Sequence, residues 1–171
     1  MRLYTQYDTS FIAEKNLVNV PALLLQKLPA EQFTVDVKLD VNHLNNDGSS
    51  GLILYGLNYA WLGVQQAQGR ELLLTTCIKT AVAAAPCTET IQASLPWRSN
   101  IAYLRMQVQA GGKTRFYYSS DQQQYSAIGM AFTASMGRWV GAQMGLFSIS
   151  NDTTASANNF VDFDYFRVTK N

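Results

Sequence analysis

The sequence predicts an all-β protein that folds as a single antiparallel β-sandwich of about ten strands. Three observations support this prediction. Apolar and polar residues alternate along many short segments, which is the period-two pattern of strands with one buried face. Turn-forming residues separate those segments, and no segment is long enough for the helices that connect parallel strands. The chain has 171 residues, the length of one domain.

The clearest single strand spans residues 33–41, where every odd position is apolar and every even position is polar. Residues 46–50 then form a turn cluster of Asn, Asp, Gly and Ser. Beyond it, glycine-containing breaks delimit predicted strands at residues 51–55, 59–64 and 71–78. This part of the chain is therefore expected to consist of strands and turns.

The clearest hairpin joins residues 101–109 to residues 113–120. Gly111 and Gly112 lie between them, and glycine adopts the positive φ angles of tight hairpin turns at no steric cost. Further strands are predicted at residues 88–93, 125–134, 140–149 and 160–168.

The remaining segments are short. We expect loops at residues 79–86, where Pro86 argues against a helix, and at the polar residues 151–159. Residues 10–17 and 28–32 could each carry one helical turn. None of these segments changes the predicted fold class.

The charge balance excludes two classes of partner. Thirteen Lys and Arg residues against twelve Asp and Glu residues leave a net charge of +1, whereas a nucleic-acid-binding domain needs a strong basic excess. The sequence also lacks a polybasic segment for an anionic membrane surface and an apolar stretch that could span a bilayer. A nearly neutral chain with 12% aromatic residues suits a neutral ligand such as a sugar.

The sequence offers few residues for catalysis or metal binding. His43 is the only histidine, and its place in the loop after the alternating strand indicates a solvated side chain rather than a member of a catalytic triad. Cys77 and Cys87 are close in the sequence, so they either form a disulfide or pack as small buried apolar residues. Two cysteines and one histidine do not supply the four ligands that zinc usually takes.

Asp162 and Asp164 are the candidates for acid–base catalysis. At positions i and i+2 they share one face of a predicted strand, about 7 Å apart by the rise of a strand, which falls in the range of inverting glycosidases. Two structural alternatives stay open, namely hydrogen bonds to the backbone at a sheet edge and a structural calcium ion held by oxygen ligands. The sequence indicates no required cofactor.

Residues on the outward sides of three predicted strands form the candidate ligand site. Alternation assigns the aliphatic residues of 59–64 and 101–109 to the core, together with Phe116 and Tyr118. The outward set comprises Tyr59, Trp61, Tyr103, Arg105, Gln107, Arg115 and Tyr117. If the three strands share one sheet, the aromatic rings could stack on sugar rings while Arg and Gln donate hydrogen bonds to hydroxyl groups. The same face could instead contact another domain, or the sheet could simply favour aromatic residues there.

Four blocks of the sequence resemble, in order, the C-terminal β-sandwich of glycoside hydrolase family 43, the β-xylosidase and α-arabinofuranosidase type of enzyme. The blocks are PALLLQKLPA with FTV (residues 21–35), GLILYG with YAWL (51–62), YLRMQV with FYYS (103–119) and GRWVGAQMGLF with DFDYFRV (137–168). The similarity spans nearly the whole chain from Leu3 onward.

The resemblance implies a concanavalin A-like jelly roll that follows a five-bladed propeller. Because the propeller carries the family's catalytic carboxylates, the resemblance assigns no catalytic residue to this chain. It also implies an association with xylan binding and a loop that helps to close the neighbouring active site, for which no motif identifies the residue here. We therefore expect residues 1–171 to be one module, the C-terminal part of a longer glycosidase that begins upstream of Met1, and we favour a secreted or periplasmic location.

Three hypotheses for function follow. In the first, the chain is a non-catalytic accessory module that binds xylan or arabinoxylan chains through the face that carries Tyr59 and Trp61. In the second, it is a purely structural domain that docks on the catalytic propeller. In the third, it is a free-standing glycosidase that uses Asp162 and Asp164. The expected partners are an oligosaccharide or polysaccharide and the catalytic domain of the parent chain, with neither nucleic acid nor membrane among them.

Overall fold

Two β-sheets make up most of the computed structural model, which describes residues 1–45, 47–79, 87–137, 139–152 and 158–171. The one α-helix of this described part is α1 (Thr9–Glu14). Its strands are β1 (Arg2–Tyr4), β2 (Gln6–Tyr7), β3 (Leu23–Lys27), β4 (Phe33–Asp40), β5 (Gly48–Tyr55), β6 (Tyr59–Gln66), β7 (Arg70–Cys77), β8 (Glu89–Pro96), β9 (Ile101–Val108), β10 (Lys113–Ser119), β11 (Ser126–Thr133), β12 (Gln143–Ser150) and β13 (Phe160–Lys170).

The strands form two sheets with different neighbours. Sheet A has the order β1-β13-β4-β9-β10-β11, and sheet B has the order β2-β12-β5-β6-β7-β8, with β3 also paired to β12. Apart from the short parallel pair β2–β12, the pairings are antiparallel. The predicted all-β antiparallel sandwich is confirmed.

The main core lies between the sheets and follows the alternation of the sequence. On β4, Phe33, Val35, Val37 and Leu39 are fully buried and belong to one apolar cluster with inward residues of sheet B such as Leu62. The polar residues between them on β4 point to the other side of sheet A. Alternation therefore predicts correctly which residues enter the core.

The predicted hairpin is confirmed. β9 and β10 pair along their length, and both connecting glycines have positive φ angles, 71° at Gly111 and 72° at Gly112. The predicted turn at residues 46–50 is wrong for its last three residues, because β5 already begins at Gly48. There Ser50 is buried and its hydroxyl donates a hydrogen bond to the Phe147 carbonyl at 2.7 Å, so a polar residue is satisfied inside the sheet.

Helix is scarce, as the sequence predicts. α1 occupies part of the expected helical turn at residues 10–17, and the backbone N–H of Phe11 donates to the Asp8 carboxylate at 3.2 Å near its start. Residues 28–32 are not helical. No helix in the described part of the chain is long and apolar enough to cross a membrane. The loops expected at 79–86 and 151–159 lie largely outside the described residues.

Residues 9–22, which we call the cover segment, lie across the outer face of sheet B. Leu17 is fully buried and Val20 is 6% exposed in a second apolar cluster that also contains Ile53, Trp61 and Phe147 from the sheet. Sheet B is therefore buried on both faces, whereas the sequence pattern alone suggests one buried face per strand.

Cys77 and Cys87 form a disulfide, which confirms the first of the two alternatives left open by the sequence. Their Cα atoms are 5.5 Å apart, and both side chains are buried in the cluster beneath the cover segment. The bond joins the end of β7 to the residues that lead into β8. It therefore holds these two strands together at the covered side of sheet B.

Candidate functional site

The structure divides the predicted site residues between the two sheets. Tyr59 and Trp61 lie on β6 in sheet B, whereas the other predicted residues lie on β9 and β10 in sheet A. The condition for a single ligand face, that the three strands share one sheet, is therefore not met. Alternation reports which side of a strand a residue occupies, but sheet membership depends on pairing between distant segments.

Tyr59 and Trp61 point to the outer side of sheet B, as predicted, but that side is covered. Their exposed fractions are 0% and 3%, so the expectation that they face solvent is wrong. The Tyr59 hydroxyl and the Trp61 indole N–H donate hydrogen bonds to Oε1 of Glu89 at 2.7 and 2.9 Å. The Tyr59 oxygen also accepts the backbone N–H of Leu17 at 2.7 Å, which ties the cover segment to the sheet.

The remaining predicted residues lie together on the outer side of sheet A. Cross-strand pairing places Arg105 beside Tyr117 and Gln107 beside Arg115. Neighbouring strands and the turn before β11 complete this surface, which we call the tyrosine face. It consists of Asp36, Lys38, Tyr103, Arg105, Gln107, Arg115, Tyr117, Tyr125, Tyr165 and Arg167.

An ion pair holds the centre of the tyrosine face. Arg105 donates from Nε and one terminal nitrogen to the two carboxylate oxygens of Asp36 at 2.6 and 3.2 Å, and this bidentate contact raises the pKa of Arg105. The guanidinium carbon also lies 3.9 Å from the centre of the Tyr125 ring. A second ion pair joins Lys38 to Asp164. These contacts fix the polar groups of the face in place.

Burial raises the pKa of two tyrosines of this face. The pKa of Tyr125 is raised to about 12, mainly by burial and then by the charge of Asp36, and burial also raises the pKa of Tyr165. The Tyr165 hydroxyl is buried and has no hydrogen-bond partner among the described residues. A buried hydroxyl without a partner costs stability.

Sequence reasoning missed half of the tyrosine face. The alternation of residues 33–41 does predict that Asp36 and Lys38 point outward, but not that β4 lies beside β9. The same holds for Tyr165 and Arg167, which reach the face because β13 pairs with β4. An outward polar residue can be found from sequence, whereas its neighbours on the next strand cannot.

Asp162 and Asp164 each form an ion pair with a basic side chain. Arg2 donates two hydrogen bonds to Asp162, at 2.9 and 2.8 Å, and these lower the pKa of Asp162, whereas a general acid needs a raised pKa. Asp164 sits at a bulge in β13 and pairs with Lys38. The predicted i, i+2 carboxylates thus serve ion pairs at the surface.

His43 is exposed and stacks on Phe160, with ring centres 4.4 Å apart, which confirms the predicted solvated loop histidine. Within the described ranges, no group of three or more His, Cys, Asp and Glu side chains could hold a metal ion. The structural calcium ion therefore stays a prediction without a ligand set in the described residues.

A second candidate surface is apolar and lies at one end of the sandwich. Its exposed side chains include Met136 at 76% and Trp139 at 88%. The backbone N–H of Leu57 donates to the Met136 carbonyl at 2.9 Å, which brings two loops together there. We call the set Leu57, Ile78, Met136, Trp139 and Val140 the apolar end surface.

The sequence matches a known family of domains. A family model of the β-xylosidase C-terminal concanavalin A-like domain matches residues 1–169. The chain belongs to this family. The predicted resemblance to the C-terminal module of family 43 glycoside hydrolases is thereby confirmed.

Solved structures show the same fold for this β-xylosidase C-terminal domain. A bifunctional GH43-CE protein of Bacteroides eggerthii matches 99% of this chain with a TM-score of 0.79 and 23% identity, over 21% of its own length. The xylan β-1,4-xylosidase of Bacillus halodurans C-125 matches 99% of this chain with a TM-score of 0.74 and 17% identity, over 32% of its own length. The chain thus spans about a fifth to a third of these relatives. No curated protein matches the sequence significantly.

Proposed function

We propose that this domain is a non-catalytic accessory module of a glycoside hydrolase and that it binds xylan or arabinoxylan chains through the tyrosine face. The observation that carries the proposal is the open outer side of sheet A, where partly exposed tyrosines surround the bidentate Asp36–Arg105 pair. Family membership supports the accessory role, and one structural relative is by its name a xylan β-1,4-xylosidase.

The chemistry of the tyrosine face matches the needs of a sugar chain. A pyranose ring offers apolar C–H faces for aromatic contact and a rim of hydroxyl groups for hydrogen bonds. Tyr103 and Tyr117 supply rings, while Gln107 and Arg115 supply polar atoms. Because Arg105 is already held by Asp36 and Tyr125, little side-chain entropy is lost when a ligand binds.

Calorimetric titration with xylohexaose tests the proposal. We expect Tyr103→Ala to weaken binding about tenfold, since an aromatic contact contributes on the order of 1 kcal/mol. Trp139→Ala is the matched control, because it removes an aromatic side chain that is 88% exposed at the apolar end surface, and its affinity should equal that of the wild type. Absence of heat with wild type, or equal losses in both variants, would overturn the proposal.

A second function, docking on the catalytic domain of the parent chain, is favoured by the apolar end surface. Five exposed apolar side chains lie on the loops at this end of the sandwich, and exposed apolar surface can mark an interaction site. The proposed occupant is the catalytic domain of the same polypeptide, because the matching module is 21% and 32% of its relatives' chains. This role is compatible with sugar binding on sheet A.

Tryptophan fluorescence can test docking directly. Trp61 and Trp97 are 3% and 7% exposed, whereas Trp139 is 88% exposed, so acrylamide quenching reports mainly on Trp139. Addition of the separately produced catalytic domain should reduce quenching of the wild type, and Trp139→Asp should abolish the association. Unchanged quenching on addition of the catalytic domain would contradict docking through this surface.

A further inference from the structure

The tyrosine face has more basic side chains than carboxylates. Its cations are Lys38, Arg105, Arg115 and Arg167, and its nearest carboxylates are Asp36 and Asp164. The net charge of the whole chain is only +1, so an excess of about two charges on this face is a local feature rather than a consequence of composition.

The two carboxylates are already engaged. Both oxygens of Asp36 accept hydrogen bonds from Arg105, and Asp164 pairs with Lys38. Among the described residues, Asp36, Lys38 and Arg105 are the side chains of the tyrosine face that form salt bridges. Arg115 and Arg167 are exposed and have no carboxylate partner within the described ranges.

Arg167 is held in a defined position. Its guanidinium carbon lies 4.1 Å from the centre of the Tyr165 ring, so the cation lies against the ring. The side chain is exposed, and a planar guanidinium offers paired N–H donors that fit a carboxylate.

Arg115 lies on the far side of the face. β10, which carries it, is separated from β13 by β4 and β9, so three strand spacings put the two arginines about 14 Å apart. The Asp36–Arg105 ion pair and the neutral side chains of Thr34 and Gln107 lie between them. The centre of the face is thus balanced in charge, because Asp36 and Arg105 neutralise each other, and a further cation lies at each side.

From this arrangement we infer that the tyrosine face selects pyranose chains that carry a carboxylate, namely uronic-acid-substituted xylan, with Arg167 as the residue that contacts the carboxylate. The inference rests on the proposed sugar binding and adds the class of substituent to it. Arg115 supplies a second, weaker contact, because no aromatic ring among the described residues packs on its guanidinium.

Calorimetry with two matched ligands tests the inference, using xylotetraose and xylotetraose with one glucuronic acid substituent. We expect the wild type to bind the acidic ligand about tenfold more tightly than the neutral one. Arg167→Gln should remove this preference, so that the variant binds the acidic and the neutral ligand with equal affinity. Arg98→Gln is the control, because Arg98 is also exposed but lies outside the tyrosine face.

Additional variants and ligands distinguish recognition of the carboxylate by Arg167 from general attraction between opposite charges. Arg167→Lys keeps the charge but loses the planar pair of donors, so it should recover only part of the preference. Thermal unfolding of each variant checks that the fold is retained. Equal affinity of the wild type for both ligands, or equally tight binding of polyglutamate, would overturn the inference and leave the proposed function intact. Failure to bind either sugar would instead overturn the proposed function.

Discussion

The two outer faces of the sandwich carry similar residues and differ in what lies over them. On sheet B, Tyr59 and Trp61 point outward into the cover segment and are buried. On sheet A, Tyr103 and Tyr117 point outward and remain partly exposed. The same period-two pattern therefore yields an interior layer in one place and a surface in the other. An outward residue faces solvent only if no distant segment folds over it.

The largest expected difference between the faces is in the cost of removing an aromatic ring. Trp61→Ala should lower the free energy of unfolding by about 3–5 kcal/mol, because it empties a buried site and removes the indole donor to Glu89. Tyr117→Ala, on the open face, should cost about 1 kcal/mol or less. Urea denaturation measures both values. Equal losses would mean that the cover segment does not pack on sheet B.

The next effect concerns the disulfide beneath the cover segment. Cys77→Ala combined with Cys87→Ala should lower the free energy of unfolding by about 3 kcal/mol, as expected for a short closed loop. The Asn16 side chain donates to the Cys87 carbonyl at 2.9 Å, so loss of the bond should also loosen the cover segment. The tyrosine face lies on the other sheet, and its affinity for xylohexaose should not change.

A reducing agent provides the control for this prediction. Dithiothreitol should destabilise the wild type by a similar amount and leave the double variant unaffected. If the double variant still responded to the reductant, the loss of stability could not be assigned to the Cys77–Cys87 bond.

Contacts between residues close in the sequence could be predicted, whereas contacts between distant segments could not. The hairpin of β9 and β10 is local, and its glycines and alternation correctly placed Tyr103, Arg105 and Tyr117 together. The partners that complete the face come from far along the chain. Arg105 and Asp36 are 69 residues apart, and Lys38 and Asp164 are 126 apart. Period-two patterns carry no information on which strands pair across such distances.

On the covered face, the sequence predicts the side of the strand that a residue occupies but not the segment that covers it. Alternation correctly assigns Tyr59 and Trp61 to the side of β6 opposite the main core. The cover segment has no clear period, and it becomes part of the fold through contacts such as the Leu17 N–H to the Tyr59 hydroxyl. Non-repeating segments of this kind pack by individual side chains, which a periodic pattern cannot predict.

Removal of a single hydroxyl should have opposite effects on the two faces. Tyr59→Phe deletes an oxygen that bonds both Leu17 and Glu89, so it should cost about 1–3 kcal/mol of unfolding free energy. Tyr165→Phe deletes a buried hydroxyl without a partner in the described residues and should raise that free energy by about 1 kcal/mol. Urea denaturation of the two variants measures both shifts. A loss of stability in Tyr165→Phe would show that its hydroxyl has a partner.

The smallest expected effect is the pH dependence that Glu89 gives to the covered face. Burial raises the pKa of Glu89, although its hydrogen bonds from Tyr59 and Trp61 act in the opposite direction. The folded state therefore favours the protonated carboxyl, and this contribution to stability is complete below the pKa of the unfolded chain, about 4.3. It is lost as the pH rises through the folded-state pKa. Glu89→Gln keeps an oxygen acceptor for both donors and carries no charge.

Unfolding midpoints of wild type and Glu89→Gln should therefore diverge with pH, the variant gaining stability relative to the wild type as the pH rises above about 4. Glu71→Gln, at an exposed position of β7, is the matched control and should track the wild type throughout. A constant difference across this range would indicate that only the hydrogen bonds matter. A relative loss at neutral pH would show that the carboxylate is stabilised beneath the cover segment, where Lys15 lines the same cleft.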